Sequence, residues 1–152
     1  MSDRRPTFHA RIQLQRHRIL YQIEDRSVEF PVQDIQLIGE YTAPPGLLAA
    51  DYFFSFKLRS RELPIDMPAY TEGLMETLAE LREQLPGIGM PKLQMSTDFD
   101  SKVLYPAHVA GMEMFEFKQE SKPLFDLPLL RNMGSVQKVA KAILPEVLAA
   151  VF

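Results

Sequence analysis

The run from Arg18 to Leu85 decides the fold: RILYQIED (18–25), RSVEFPVQDIQLIGEYT (26–42), a Pro/Gly break, DYFFSFKLRSRELPID (51–66), and then an apolar-striped helix beginning near Met67 and Pro68. Short alternating strands followed by one helix predict an α+β chain, a bent antiparallel β-sheet or partial barrel capped by an α-helix. Within the run, Ile19, Tyr21 and Ile23 alternate with polar residues and Glu24-Asp25-Arg26 reads as a turn. Val28, Phe30 and Val32 make the next strand, where Pro31 removes one ladder donor and marks an edge or a bulge. Ile35 and Leu37 continue beyond it, with Gly39 and Tyr41 in the same register. Tyr52, Phe54, Phe56 and Leu58 alternate with Phe53, Ser55, Lys57 and Arg59, and after a reversal at Ser60-Arg61 the pair Leu63 and Ile65 completes a hairpin. Leu74, Leu78, Leu81 and Leu85, with Met75, then form one apolar stripe at helical spacing over 68–85, and Pro86-Gly87 ends it.

Upstream, Phe8, Ala10, Ile12 and Leu14 alternate with His9, Arg11, Gln13 and Gln15, giving a half-buried first strand that turns at Arg16-His17. Downstream the theme repeats less clearly. Leu93, Met95, Thr97 and Phe99 are one strand candidate, Val103 to Tyr105 another and Met112 to Phe117 a third. Lys118 to Met133, with Pro123 and Pro128, reads as a crossing loop or a short turn of helix. Val136, Val139, Ala140, Ile143, Leu144, Val147, Leu148 and Val151 follow helical spacing, with Ser135 placed to cap a C-terminal helix that Pro145 kinks or divides. One compact domain over 1–152 is expected, with 87–152 as a further strand region and helix that could stand as a second subdomain.

Composition narrows the chemistry. The chain has 152 residues, 46% of them hydrophobic, enough to bury a core. With no cysteine, disulfides, Cys-based zinc sites and thiol nucleophiles are excluded. The N-terminal stretch is charged and alternating, unlike a secretory signal, and no apolar run approaches membrane-spanning length, so a soluble cytoplasmic protein is expected. A net charge of −3 speaks against nucleic acid as a partner. The charge is uneven: Arg4, Arg5, Arg11, Arg16, Arg18 and Arg26 make the start basic, whereas 27–86 carries an acidic excess. Internal or surface complementarity is the simpler reading of that contrast.

At VEFPVQDIQLIGEYT (28–42) the pattern resembles bacterial pleckstrin-homology-like domains: a strand runs into a Pro-containing bend, an Asp-Ile pair follows, and a second strand opens with isoleucine. Arg18 to Glu24, the hairpin from Tyr52 to Ile65 and the helix at 68–85 take the flanking positions, so the resemblance covers residues 7–86. It implies a scaffold for lipid, peptide or protein contact and no catalytic residues. It also draws attention to Arg16, His17 and Arg18, since phosphoinositide-binding members keep a basic cluster in the first hairpin turn. Phosphates call for several convergent cations. The family's fuller alternation of Lys and Arg is missing here, and a solvated turn is the ordinary reading.

Other candidate sites follow from residue chemistry. Asp98 and Asp100 would share a strand face and could hold a divalent cation, although a polar turn explains the pair as well. His9, His17 and His108 form no HxxxH or HExxH, and no GxSxG, GxGxxG or P-loop occurs, so no cofactor is expected. Glu72, Glu76, Glu80 and Glu83 line the outer side of the first helix, either as a solvated face or as a surface for a basic partner. Leu47, Leu48, Phe53 and Phe152, with Met112 and Met114, are candidates for an exposed apolar interface, the first two in a Pro/Gly-bounded loop at 43–50. The leading expectation is a non-catalytic protein-interaction or scaffold module, acting through a sheet edge, that loop or homodimerisation. A small apolar ligand or lipid headgroup binder is the alternative, and a divalent-metal-dependent hydrolase using Asp98 and Asp100 the third.

Overall fold

The computed structural model describes residues 9–44, 51–119 and 139–151. Ala10–Gln15 (β1), Arg18–Ile23 (β2) and Arg26–Pro31 (β3) form an antiparallel three-stranded meander. Two-residue turns join these strands, each with a left-handed first residue, Arg16 at φ 59° and Glu24 at φ 55°. Pro31 ends β3, an edge strand, where a missing N–H is tolerated. A 3-10 turn at Val32–Asp34 then feeds the second sheet.

That sheet has the order β6-β5-β4-β7, built from Ile35–Thr42 (β4), Tyr52–Leu58 (β5), Ile65–Pro68 (β6) and Asp100–Tyr105 (β7), all antiparallel neighbours. Between β6 and β7 lies helix α1, Leu74–Gln84. Phe115–Gln119 (β8) and Val139–Ile143 (β9) pair as a separate two-stranded sheet, and Pro145–Val151 is helix α2. The molecule is therefore α+β, with three antiparallel sheets among the described residues rather than one bent sheet, and the described strands close no barrel.

All eight residues of β4 are buried, because both faces of its sheet are covered. On one face Ile38, Phe54, Phe56, Leu58 and Met67 pack with Ile12, Ile19, Tyr21 and Phe30 of the meander and with Leu74, Leu78 and Leu81 of α1. On the other, Leu37, Tyr41 and Val103 pack with Met114, Phe115 and Val147. Each fully buried Phe or Leu contributes about 1.5–3 kcal/mol, so both faces matter to stability. Among the described residues no helix is long and apolar enough to cross a membrane.

Several sequence expectations need correction. The helix starts at Leu74, not Pro68: Pro68 closes β6 opposite Phe53, and Gly73, left-handed at φ 83°, precedes the first helical residue. Met75 lies off the buried stripe, 47% exposed. Leu63 lies outside the hairpin strands and is 75% exposed. Leu93 to Phe99 forms no strand. The C-terminal helix is half the expected length, since Val139–Ile143 is a strand paired to β8 and Pro145 is the first helical residue rather than a kink. Ser135, Val136, Pro123 and Pro128 lie outside the described residues.

Three glycines rank the tightness of this packing. A Cβ on Gly73 would come within 2.5 Å of the Ile12 carbonyl oxygen, one on Gly39 within 2.1 Å of Met114 Sδ, and one on Gly111 (φ 89°) would meet nothing within 4 Å. Gly73→Ala combines a backbone clash with a left-handed residue and should cost upwards of about 2 kcal/mol; Gly39→Ala should cost about 1–3 kcal/mol and Gly111→Ala about 1 kcal/mol. Urea unfolding of the three variants checks the order, and a Gly73→Ala midpoint equal to that of Gly111→Ala would refute the close approach of α1 to β1.

Candidate functional site

Glu40 sits in the middle of β4 with no solvent exposure. A carboxylate there must be hydrogen-bonded. The Tyr52 hydroxyl donates to Oε2 at 2.5 Å and the backbone N–H of Lys92 to Oε1 at 2.7 Å. The second bond reaches across 52 residues to the connection between α1 and β7. Three further contacts hold that connection: Gly89 N–H donates to the Leu104 carbonyl at 2.7 Å, Thr42 Oγ1 to the Asp98 carbonyl at 2.7 Å, and the Arg82 guanidinium approaches the carbonyls of Ile88 and Gly89 at 3.5 Å. Ile88 and Leu93 turn inward and are buried. Met90 and Met95 instead face solvent, 66% and 88% exposed. An irregular segment whose backbone is held at several points thus presents two exposed, flexible apolar side chains.

A second polar cluster lies on the opposite face of the sheet. Asp66 of β6 accepts from Ser55 Oγ at 2.7 Å and pairs with Lys141 of β9. The Lys141 ammonium stands 5.0 Å from the Tyr41 ring centroid and 5.3 Å from that of Phe115. Ion pair and cation–π contacts together fasten β9 over β6. Every group in the cluster is engaged with another, so it reads as a clasp between sheets.

The residues singled out in the sequence are dispersed. Arg16 and His17 form the exposed β1–β2 turn, where Gln84 ties them to α1: His17 Nδ1 donates to Gln84 Oε1 at 3.0 Å and Gln84 Nε2 donates to the Arg16 carbonyl at 2.6 Å. Arg18 is paired with Glu29 at 2.6 Å on the strand surface. Asp98 is exposed, whereas the Asp100 carboxylate accepts from Ser96 Oγ at 3.1 Å. Among the described residues no three His, Cys, Asp or Glu side chains are grouped to hold a metal ion. His108 donates from Nε2 to the Ala150 carbonyl at 2.8 Å. Phe53 is half-buried and stacked on Tyr41 with ring centroids 4.9 Å apart, and Met114 is fully buried. Met112 is 40% exposed. Leu47, Leu48 and Phe152 lie outside the described residues.

No protein-family model, curated protein or solved structure matches the chain. The site therefore rests on its own geometry. Its main residues were not singled out in the sequence. A lone Glu inside the apolar run LIGEY was a readable signal of a buried anchor, and two methionines in the Pro- and Gly-punctuated stretch PGIGMPKLQM were a readable signal of an apolar loop.

The anchor is testable. Glu40→Leu would remove the charged acceptor of two part-buried hydrogen bonds, from the Lys92 N–H and the Tyr52 hydroxyl, each worth about 1.5–3 kcal/mol. Urea unfolding should show a loss in that range, and amide exchange at Lys92 should accelerate. Unchanged exchange there would show that Glu40 does not hold the segment.

Three phenols, Tyr21 and Tyr41 buried and Tyr52 half-buried, couple the fold to alkaline pH. Burial pushes Tyr52 far above its ordinary value of 10, with the neighbouring Glu40 carboxylate adding to the rise. Burial, with Asp66 beside the ring, does the same to Tyr41. Burial raises Tyr21 to about 12, Thr71 offsetting part of the shift. Above pH 10 the unfolded chain releases these protons while the folded chain retains them, so the folded state binds more protons and stability falls as pH rises. Stability should be level below pH 10 and decline above it, and phenolate absorbance from these three should appear with unfolding. Their smooth ionisation in a chain that keeps its near-ultraviolet dichroism would contradict the burial.

Proposed function

We propose that this chain is a non-catalytic protein-interaction module whose contact surface is the connection 87–99. The observation that carries the reading is the pairing of a backbone fixed by Glu40, Leu104 and Thr42 with the outward methionines Met90 and Met95. Such an arrangement lowers the ordering cost of binding while offering adaptable apolar contact. The free edge of β3 is a weaker surface, since exposed Arg26 and Glu29 and the terminal Pro31 are features that discourage strand addition. Between the central sheet and α2, where a small apolar ligand would sit, Leu37, Tyr41, Val103, Met114 and Phe115 pack against one another. A pleckstrin-homology-like scaffold belongs to the same proposal, supported by the order of strands and helix from Arg18 to Gln84.

Placing a photoreactive amino acid at Met90 or Met95, with exposed Gln22 of β2 as control, tests this in cells. Discrete protein adducts are expected from the two loop positions and not from position 22. Adduct yields at 90 and 95 no greater than at 22 would overturn the reading.

A further inference from the structure

We infer that the surface formed by Met90 and one flank of α1 receives a basic amphipathic helix of a partner protein, an inference that rests on the interaction reading above. Arg82 Nη2 lies 3.3 Å from Met90 Sδ, which places the methionine against the helix. At roughly 100° per residue, Met75 stands within about 20° of Arg82 around the helix axis, with Ala79 next to both. Met75 and Ala79 are exposed. Met90, Met75 and Ala79 thus make an apolar strip along α1, with the stem of Arg82 between them.

Further round the same helix come Glu83, Glu76 and Glu80, all exposed. At the same angular step the buried stripe of Leu74, Leu78 and Leu81 lies about 160° from the acidic border and about 90° from Met75, so the glutamates face directly outward and the apolar strip runs along the flank beside them. Arg82 is the cation within this flank, and its guanidinium is directed to the carbonyls of Ile88 and Gly89. A methionine-lined strip bordered by carboxylates on one side complements a helix with apolar residues on one face and Lys or Arg beside them. The methionines supply adaptable contact, and the carboxylates set the helix orientation and reject acidic competitors. The glutamates at i, i+4 and i+7 oppose one another slightly within α1, a cost that a basic partner relieves.

The probe is a dye-labelled amphipathic Leu–Lys helical peptide, read by fluorescence anisotropy with the full chain. A scrambled peptide of the same composition and a Leu–Glu counterpart are the controls. Saturable binding of the Leu–Lys peptide alone is expected. Charge reversal at Glu76, Glu80 and Glu83 to Lys, and separately the pair Met75→Gln and Met90→Gln, should each weaken it by roughly tenfold or more. All five side chains are exposed, so melting temperatures should stay near that of the parent chain. Equal binding of the scrambled peptide, or binding untouched by either set of substitutions, would overturn the inference, as would no binding at all. If those results came with position-specific photoadducts at Met90, the interaction reading would stand and the partner chemistry alone would fall.

Discussion

The structure depends on a strand that has no solvent face. Every residue of β4 is buried, and a strand so placed must be covered on both sides by material from elsewhere in the chain. The meander β1–β3 and α1 cover one side; β8, β9 and α2 cover the other. Because β7, from the second half of the sequence, hydrogen-bonds directly to β4, the two halves are interleaved at the centre of the sheet. Gln36 Oε1 of β4 is buried without a hydrogen-bond partner among the described residues, and a polar side chain of that strand can find one only inside the protein. Thr42 and Glu40 do so on the connection before β7, and that requirement fixes the shape of a segment that would otherwise be a plain linker.

Burial of a polar side chain and exposure of an apolar one are thus two ends of one arrangement. Glu40 holds the backbone at Lys92, Ile88 and Leu93 turn into the protein, and Met90 and Met95 are left outside. The Lys141–Asp66 clasp works differently, since it joins two elements already brought together by the aromatic contacts of Tyr41 with Phe115 and Phe117. The first arrangement positions a surface, and the second secures a layer.

The sequence was legible wherever a period-2 alternation met a turn. The strands from Ala10 to Ile23 and from Tyr52 to Leu58 could be read because their polar and apolar faces see different environments. It misled where two periodicities coincide. Val139, Ala140, Ile143 and Leu144 fit helical spacing, yet β-branched residues before a proline suit a strand, and the partner that settles the choice is β8, whose paired residues lie between Gln119 and Phe115 far back along the chain. Leu93 to Phe99 alternates like a strand but pairs with no strand among the described residues, and Met95 projects into water instead. The stripe of α1 was plain, whereas its start depended on a left-handed Gly73 that periodicity does not reveal. The basic turn at Arg16 to Arg18 was equally visible, but its ties to Gln84 and Glu29 come from residues that only folding brings near.

The two coverings of β4 also differ in when they can exist. The first face is complete once residues 10 to 104 are present, whereas the second needs Met114, Phe115 and finally Val147. A chain made from its N-terminus therefore carries Leu37, Tyr41 and Phe53 on an uncovered sheet until the residues from Met114 to Val147 have been synthesised. That interval is when such a surface can be captured by a chaperone or by another copy of the chain. A frameshift or truncation between Tyr105 and Met114 would leave the first face packed and the second, apolar face permanently open.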